Sequence, residues 1–230
     1  MKSALRSCLT PPYGAVRAIR NVVFTSIFGF SVAGAALAAD LPRILALGDS
    51  LTAGYGLPQD EGFVPQLNAW LAGQGVQAEV INAGVSGDTT AGGAARLEWS
   101  LADGAQALIV NLGGNDLLRG LPPAAARANL TTIMDIAKGR DLPVLLVGMQ
   151  APGNFGPDYK AEFEAIYPDL AAQYGALFLP VYFAPIATAE GGLDPAFMQA
   201  DGIHPNAEGV QKIVVAMGPK VLELLEKIKP

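Results

Sequence analysis

The segment Arg43-Ile44-Leu45-Ala46-Leu47-Gly48-Asp49-Ser50 decides the fold class: an apolar run of strand length stops at a glycine and hands over to two small polar residues. A short, unbroken apolar run closed by turn-forming residues reads as a strand buried on both faces. The same unit recurs at Glu79 to Asn82, Ala107 to Leu112, Val144 to Gly148 and Leu177 to Leu179, each bounded by Gly, Pro, Asn or Asp. Between these runs, Glu61 to Ala72, Ala91 to Leu101, Ala124 to Lys138, Tyr159 to Tyr174 and Asn206 to Ile228 carry apolar residues at three- and four-residue spacing, the period of a helix. Strands alternating with helices predict βαβ units with right-handed crossovers. The fold class is therefore α/β: a three-layer α/β/α sandwich around a mainly parallel sheet of five strands. No internal repeat or domain-sized linker interrupts it, and the Gly and Pro cluster from Ala151 to Pro157 reads as a loop within one domain.

The composition agrees. Of 230 residues, 51% are hydrophobic and 16% charged, enough apolar side chain for one full-sized core and too little polarity for a disordered chain. Fifteen basic residues against 21 acidic ones give a net charge of −6, which argues against a nucleic-acid partner, because phosphate backbones are held by clustered Lys and Arg. Lys2, Arg6, Arg17 and Arg20 precede an apolar stretch from Val22 to Leu37, and Ala36-Leu37-Ala38 offers the small residues of a cleavage site. Residues 1–38 thus read as a secretory signal cut before Ala39, leaving 39–230 as a single domain, periplasmic or secreted, with no stable membrane anchor; a retained anchor is the alternative, at an apolar length near the lower limit for crossing a bilayer. Loss of those four basic residues takes the charge from −6 to −10, and Cys8, the single cysteine, leaves with them. The mature chain is expected to fold as a monomer without a disulfide.

In parallel sheets ligands bind beyond the carboxyl ends of the strands, so the residues after each apolar run are the candidates for chemistry. His204 is the single histidine of the chain, in Asp201-Gly202-Ile203-His204-Pro205. Gly202 permits a tight turn that brings the Asp201 carboxylate to the imidazole, which would fix its tautomer and leave Nε2 to accept a proton. A helix start is the structural alternative for this block, and Asn206 suits it better than Asp201. Ser50, following the first strand, is the candidate nucleophile, with a helix cap as its structural alternative. Gly87 in Ser86-Gly87-Asp88-Thr89 and Asn115 in Gly113-Gly114-Asn115-Asp116 offer amide donors for a developing oxyanion, although both tripeptides also serve as ordinary turns. Nucleotide-binding loops and the G-x-S-x-G elbow are missing from the mature chain. One histidine, no mature cysteine and scattered carboxylates supply no metal cluster, so neither metal nor cofactor is expected; Asp49, Asp88 and Asp116 read as loop supports.

Gly48-Asp49-Ser50-Leu51, Gly87, Gly113-Gly114-Asn115-Asp116 and Asp201-Gly202-Ile203-His204-Pro205, in this order, resemble the SGNH or GDSL hydrolase family. Val85 to Thr90, Leu112 to Leu118, Pro152 to Gly156 and Phe163 to Pro168 are similar to its bacterial exported arylesterase, acyl-thioesterase and lysophospholipase branch. The resemblance implies a flavodoxin-like fold with Ser50 as nucleophile, His204 as base and then acid, and Asp201 orienting His204. It further implies an oxyanion hole from the Ser50 N–H, Gly87 and Asn115, and a loop from Ala151 to Tyr159, with Asn154 and Phe155, bordering the substrate.

The expected function is serine-dependent hydrolysis of small aryl or short acyl esters, extending to thioesters or lysophospholipids. An O-acetyl esterase of cell-envelope polysaccharide is the alternative within the same chemistry. Trp70 and Trp99, the two tryptophans, fall in expected helices where packing accounts for them. A binding protein on the same scaffold is the alternative without catalysis, distinguished by an unreactive Ser50.

Overall fold

A computed structural model describes residues 41–229. The signal expected over residues 1–38 lies outside them. Five strands, β1 (Arg43–Gly48), β2 (Glu79–Gly84), β3 (Ala107–Asn111), β4 (Val144–Val147) and β5 (Leu177–Leu179), form one sheet in the order β2-β1-β3-β4-β5. Every pairing in it is parallel. The expectation of a mainly parallel five-stranded sheet is met. β1, β3 and β4 lie inside the sheet and are buried almost without break, which is why their sequences lack the polar alternation of a half-exposed strand.

Helices cover both faces. α1 (Ser50–Ala53), α2 (Phe63–Gly73) and α7 (Ala207–Glu226) pack together, as do α3 (Thr90–Ser100), α5 (Pro123–Gly139) and α6 (Pro157–Tyr174). A short α4 (Gly114–Leu118) follows β3. Two packed groups on a central sheet make the three-layer sandwich.

The helix expected from Glu61 starts two residues later. Gln59–Glu61 is a single 3-10 turn, and Gly62, in extended backbone, begins α2 at Phe63. The core runs continuously from Ile44–Leu47 through Leu108–Val110 to Leu145–Val147, with Phe63 and Leu67 of α2 and Phe163 and Ile166 of α6 buried among them. At the carboxyl end, β1 stands in register with both neighbours, Gly48 opposite Gly84 of β2 and Asn111 of β3. The chain reverses its direction of sheet growth at β1, and a crevice opens above such a switch point.

Candidate active site

Ser50 lies two residues beyond β1. It is the first residue of α1, and the cap of that helix is Asp49, whose Oδ1 accepts the Leu51 N–H at 3.0 Å. Gly54, left-handed at φ 81°, closes the helix after one turn. Because Asp49 does the capping, the structural alternative for Ser50 falls away and its hydroxyl is free for another partner. That partner is His204, whose Nε2 lies 2.8 Å from Ser50 Oγ.

The histidine loop is built around Asp201. Gly202 takes a φ of 67°, and Asp201 Oδ1 accepts the N–H groups of Ile203 at 2.9 Å and His204 at 3.0 Å. Its second oxygen faces His204 Nδ1 at 2.6 Å. The imidazole contact, reinforced by the two N–H groups, holds the Asp201 carboxyl well below the usual carboxylate range, at about 2. An ionised carboxylate only accepts, so Nδ1 carries the proton, and in the neutral imidazole Nε2 is left to accept from the Ser50 hydroxyl. Asn206, not Asp201, caps α7, its Oδ1 accepting the Gly209 N–H at 2.9 Å.

The other two loops are tied to the same end of the sheet. Val85 N–H donates to Gly48 O at 3.0 Å, and Arg96 bridges Asp88 at 2.6 Å and Gly48 O at 2.9 Å, holding the loop that carries Gly87 beside β1. Gly87 has a φ of 86°, outside the range comfortable for a side chain. Asn115 lies in α4, and its Nδ2 donates to Asp49 Oδ2 at 3.3 Å, a bond that uses one of its two amide hydrogens; among the described residues the second has no acceptor. Among the described residues, neither the Ser50 nor the Gly87 N–H has a protein acceptor. Asp116 accepts from Thr90 N at 2.8 Å and Thr90 Oγ1 at 2.7 Å, joining α4 to the start of α3. The three aspartates read as loop supports thus each hold a loop.

Asp49 is 1% exposed, and burial pushes its carboxyl up to about 6 against the opposing pull of the Leu51 N–H and the Asn115 amide. Phe155 is exposed and packs on Tyr159, ring centroids 5.1 Å apart, with its edge against Gly120. Asn154 is exposed beside it. Trp70 packs on Gly218 of α7, and Trp99, 80% exposed, sits at the end of α3 away from the Gly87 loop. Among the described residues no group of three or more His, Cys, Asp or Glu is placed to hold a metal ion.

Residues 46–212 match the model of the GDSL-like lipase/acylhydrolase family. The chain belongs to this family. The esterase TesA of Pseudomonas aeruginosa is 39% identical over 183 residues, 79% of this chain and 89% of that protein. The thioesterase 1/protease 1/lysophospholipase L1 of Escherichia coli is 37% identical over 173 residues, 74% of this chain and 79% of that protein. Among solved structures, the SGNH-hydrolase family esterase AlinE4 superposes with a TM-score of 0.67 at 45% identity, covering 81% of this chain and 98% of its own. The resemblance read from four blocks of sequence therefore extends over most of the described chain.

Sequence reading overlooked two residues beside this GDSL-family site. Tyr55 packs against the His204 ring, and Gln199 hydrogen-bonds to the Tyr55 carbonyl. No spacing or composition marks either one, since their contacts join segments 144 residues apart.

Proposed function

We propose that this protein is an exported, monomeric serine esterase acting on small aryl or short acyl esters and on thioesters through an acyl-enzyme at Ser50. The observation that carries the reading is the unbroken chain from Ser50 Oγ to His204 Nε2 at 2.8 Å and from His204 Nδ1 to Asp201 at 2.6 Å, assembled from positions 154 residues apart. The relatives named for esterase and thioesterase activity support it.

In this reading Ser50 Oγ attacks the carbonyl carbon while Nε2 takes its proton, and Asp201 stabilises the imidazolium that forms. The tetrahedral oxygen receives hydrogen bonds from the Ser50 N–H, the Gly87 N–H and the free hydrogen of Asn115 Nδ2. The imidazolium returns the proton to the departing alcohol or thiol, leaving an ester on Ser50. Water, deprotonated by Nε2, attacks that ester and releases the acid. Phe155 and Asn154 border the acyl or aryl group.

Ser50→Ala is expected to lower kcat for p-nitrophenyl acetate by about a thousandfold or more and to abolish both the burst of p-nitrophenol and labelling by a fluorophosphonate. Turnover comparable to the unaltered protein would remove Ser50 from the mechanism.

A further inference from the structure

The loop that carries Asp201 and His204 is largely self-contained. Asp201 bonds within its own turn, Gln199 N–H donates to His204 O at 2.8 Å, Gly202 N–H donates to Gln199 O at 3.0 Å, and Asn206 Nδ2 donates to Ala196 O at 2.8 Å. These bonds tie Asp201 and His204 into one turn. They do not fix its distance from Ser50, which belongs to another element. That distance decides whether proton transfer occurs, since a misplacement of about 1 Å at such a site can cost on the order of a hundredfold in rate.

Among the described residues, the hydrogen bonds that join segment 50–57 to segment 199–205 are the Ser50–His204 contact itself and one other. Gln199 Nε2 donates to Tyr55 O at 2.8 Å and to Pro205 O at 3.0 Å, so both hydrogens of one amide staple the nucleophile segment to the residue after His204. Tyr55 completes the join from the other side. Its own N–H donates at 3.1 Å to the carbonyl of Ser50, the first residue of α1. Its ring lies against the imidazole with centroids 4.7 Å apart and planes inclined by 40°, within the range of favourable tilted aromatic pairs. Gly56 leaves room for the arrangement: a Cβ there would come within 2.2 Å of Gln199 Oε1. Tyr55 is 53% exposed, yet its backbone is held on both sides, by Ser50 O and by the Gln199 amide.

We propose that Tyr55 and Gln199 are positioning residues, a clasp that sets the approach of His204 to Ser50 and shields one face of the imidazole. The amide fixes the separation of the two segments, and the ring fixes the rotation of the imidazole about its side-chain bonds. The clasp rests on the assignment of Ser50 and His204 as nucleophile and base.

The test uses Tyr55→Leu, Tyr55→Phe, Gln199→Met and the double variant Tyr55→Leu/Gln199→Met in the full chain without a histidine tag. Fluorophosphonate titration counts competent active sites in each. Tyr55→Leu and Gln199→Met are each expected to lower kcat per competent site about tenfold for both phenyl acetate and phenyl hexanoate, with KM for either ester changed less than about twofold. Tyr55→Phe, which keeps the ring, restores kcat to within about twofold of the unaltered protein. The double variant falls no further than the worse single one, because both substitutions open one clasp. The chain has one histidine, so its imidazole NMR signals belong to His204 alone. The Nδ1 proton is expected to exchange with water faster in Tyr55→Leu than in Tyr55→Phe. If Tyr55→Leu is not recovered folded, Gln199→Met with its KM-against-kcat split carries the same test.

Unchanged kcat in both single variants, losses that multiply in the double variant, or an Nδ1 exchange rate indifferent to the ring would overturn the clasp. A KM effect that differs between the two esters would also overturn it, making Tyr55 a wall of the substrate site. Activity surviving in Ser50→Ala would instead overturn the assignment beneath it.

Discussion

Asp49 shows how one residue serves stability and chemistry in opposite directions. It lies one position before Ser50, capping α1 with Oδ1 and holding the Asn115 amide with Oδ2. Burial raises its carboxyl from 3.8 to about 6, so the folded state binds this proton more tightly than the unfolded chain does. Its contribution is therefore fully present below about pH 4 and is lost as the pH rises through 6. Asp201 behaves inversely: held at about 2, it contributes above pH 4 and loses that contribution as the pH falls toward 2. Asp49→Asn keeps the cap, since Asn and Asp cap equally well, and removes the titration. Its thermal midpoint is expected to fall less than that of the unaltered protein between pH 4 and 6, the window set by the Asp49 shift. The variant also places an NH2 opposite Asn115 Nδ2, where two donors face each other, so Asn115 must turn away. In the proposed mechanism Asn115 is an oxyanion donor; loss of such a donor costs about a hundred- to a thousandfold, and its misdirection somewhat less, so kcat is expected to drop about tenfold or more at pH 8. Equal pH slopes in the two proteins would show that burial of Asp49 carries no such cost. The sequence marked Asp49 as a loop support. Its pairing with Asn115, 66 positions away, needed the fold.

At the scale of elements, legibility followed the burial pattern, and even the three-residue β5 shows as an apolar run between turn formers. The strands at Ile44, Ala107 and Val144 and the long helices were readable because burial on both faces or on one stripe writes a pattern over many residues. α6 and α7 kept their helical period through Pro168 and Pro219. α1 and α4, with four and five residues, are too short to display a period, and both carry residues of the site. Their positions depend instead on close backbone contact. A Cβ on Gly84 would lie 2.3 Å from Ala53 N and 2.8 Å from its Cα. Both obstructing atoms are main chain, so no rotamer change relieves them and α1 itself must shift. Gly84→Ala is therefore expected to cost about 1–3 kcal/mol of stability in urea unfolding and to lower kcat with little change in KM, since the shift carries Ser50 away from His204. A loss of stability with kcat unaltered would mean that α1 moves without displacing Ser50, the proposed nucleophile.

For the molecule as a whole, the order β2-β1-β3-β4-β5 explains why distant motifs meet. The loops after β1, β2 and β3 rise from adjacent strands at the switch point, and the loop before α7 closes over them. Alternation of strands and helices foretold this convergence; the distances within it could come only from packed side chains. The proposed export turns on residues 1–38, and the single cysteine makes it measurable. Cys8 lies inside the segment that cleavage before Ala39 removes, and the remaining 192 residues contain none. Protein recovered from the periplasm of a Gram-negative host and then denatured is expected to give no thiol with a disulfide reagent, to have Ala39 at its N-terminus, and to keep full activity in dithiothreitol. An uncleaved chain gives one thiol per molecule and retains four basic residues, which raise its charge from −10 to −6 and shift its focusing position. One thiol per active molecule in the periplasmic fraction would refute cleavage at this site, and an active, thiol-bearing protein confined to the cytoplasm would refute export itself.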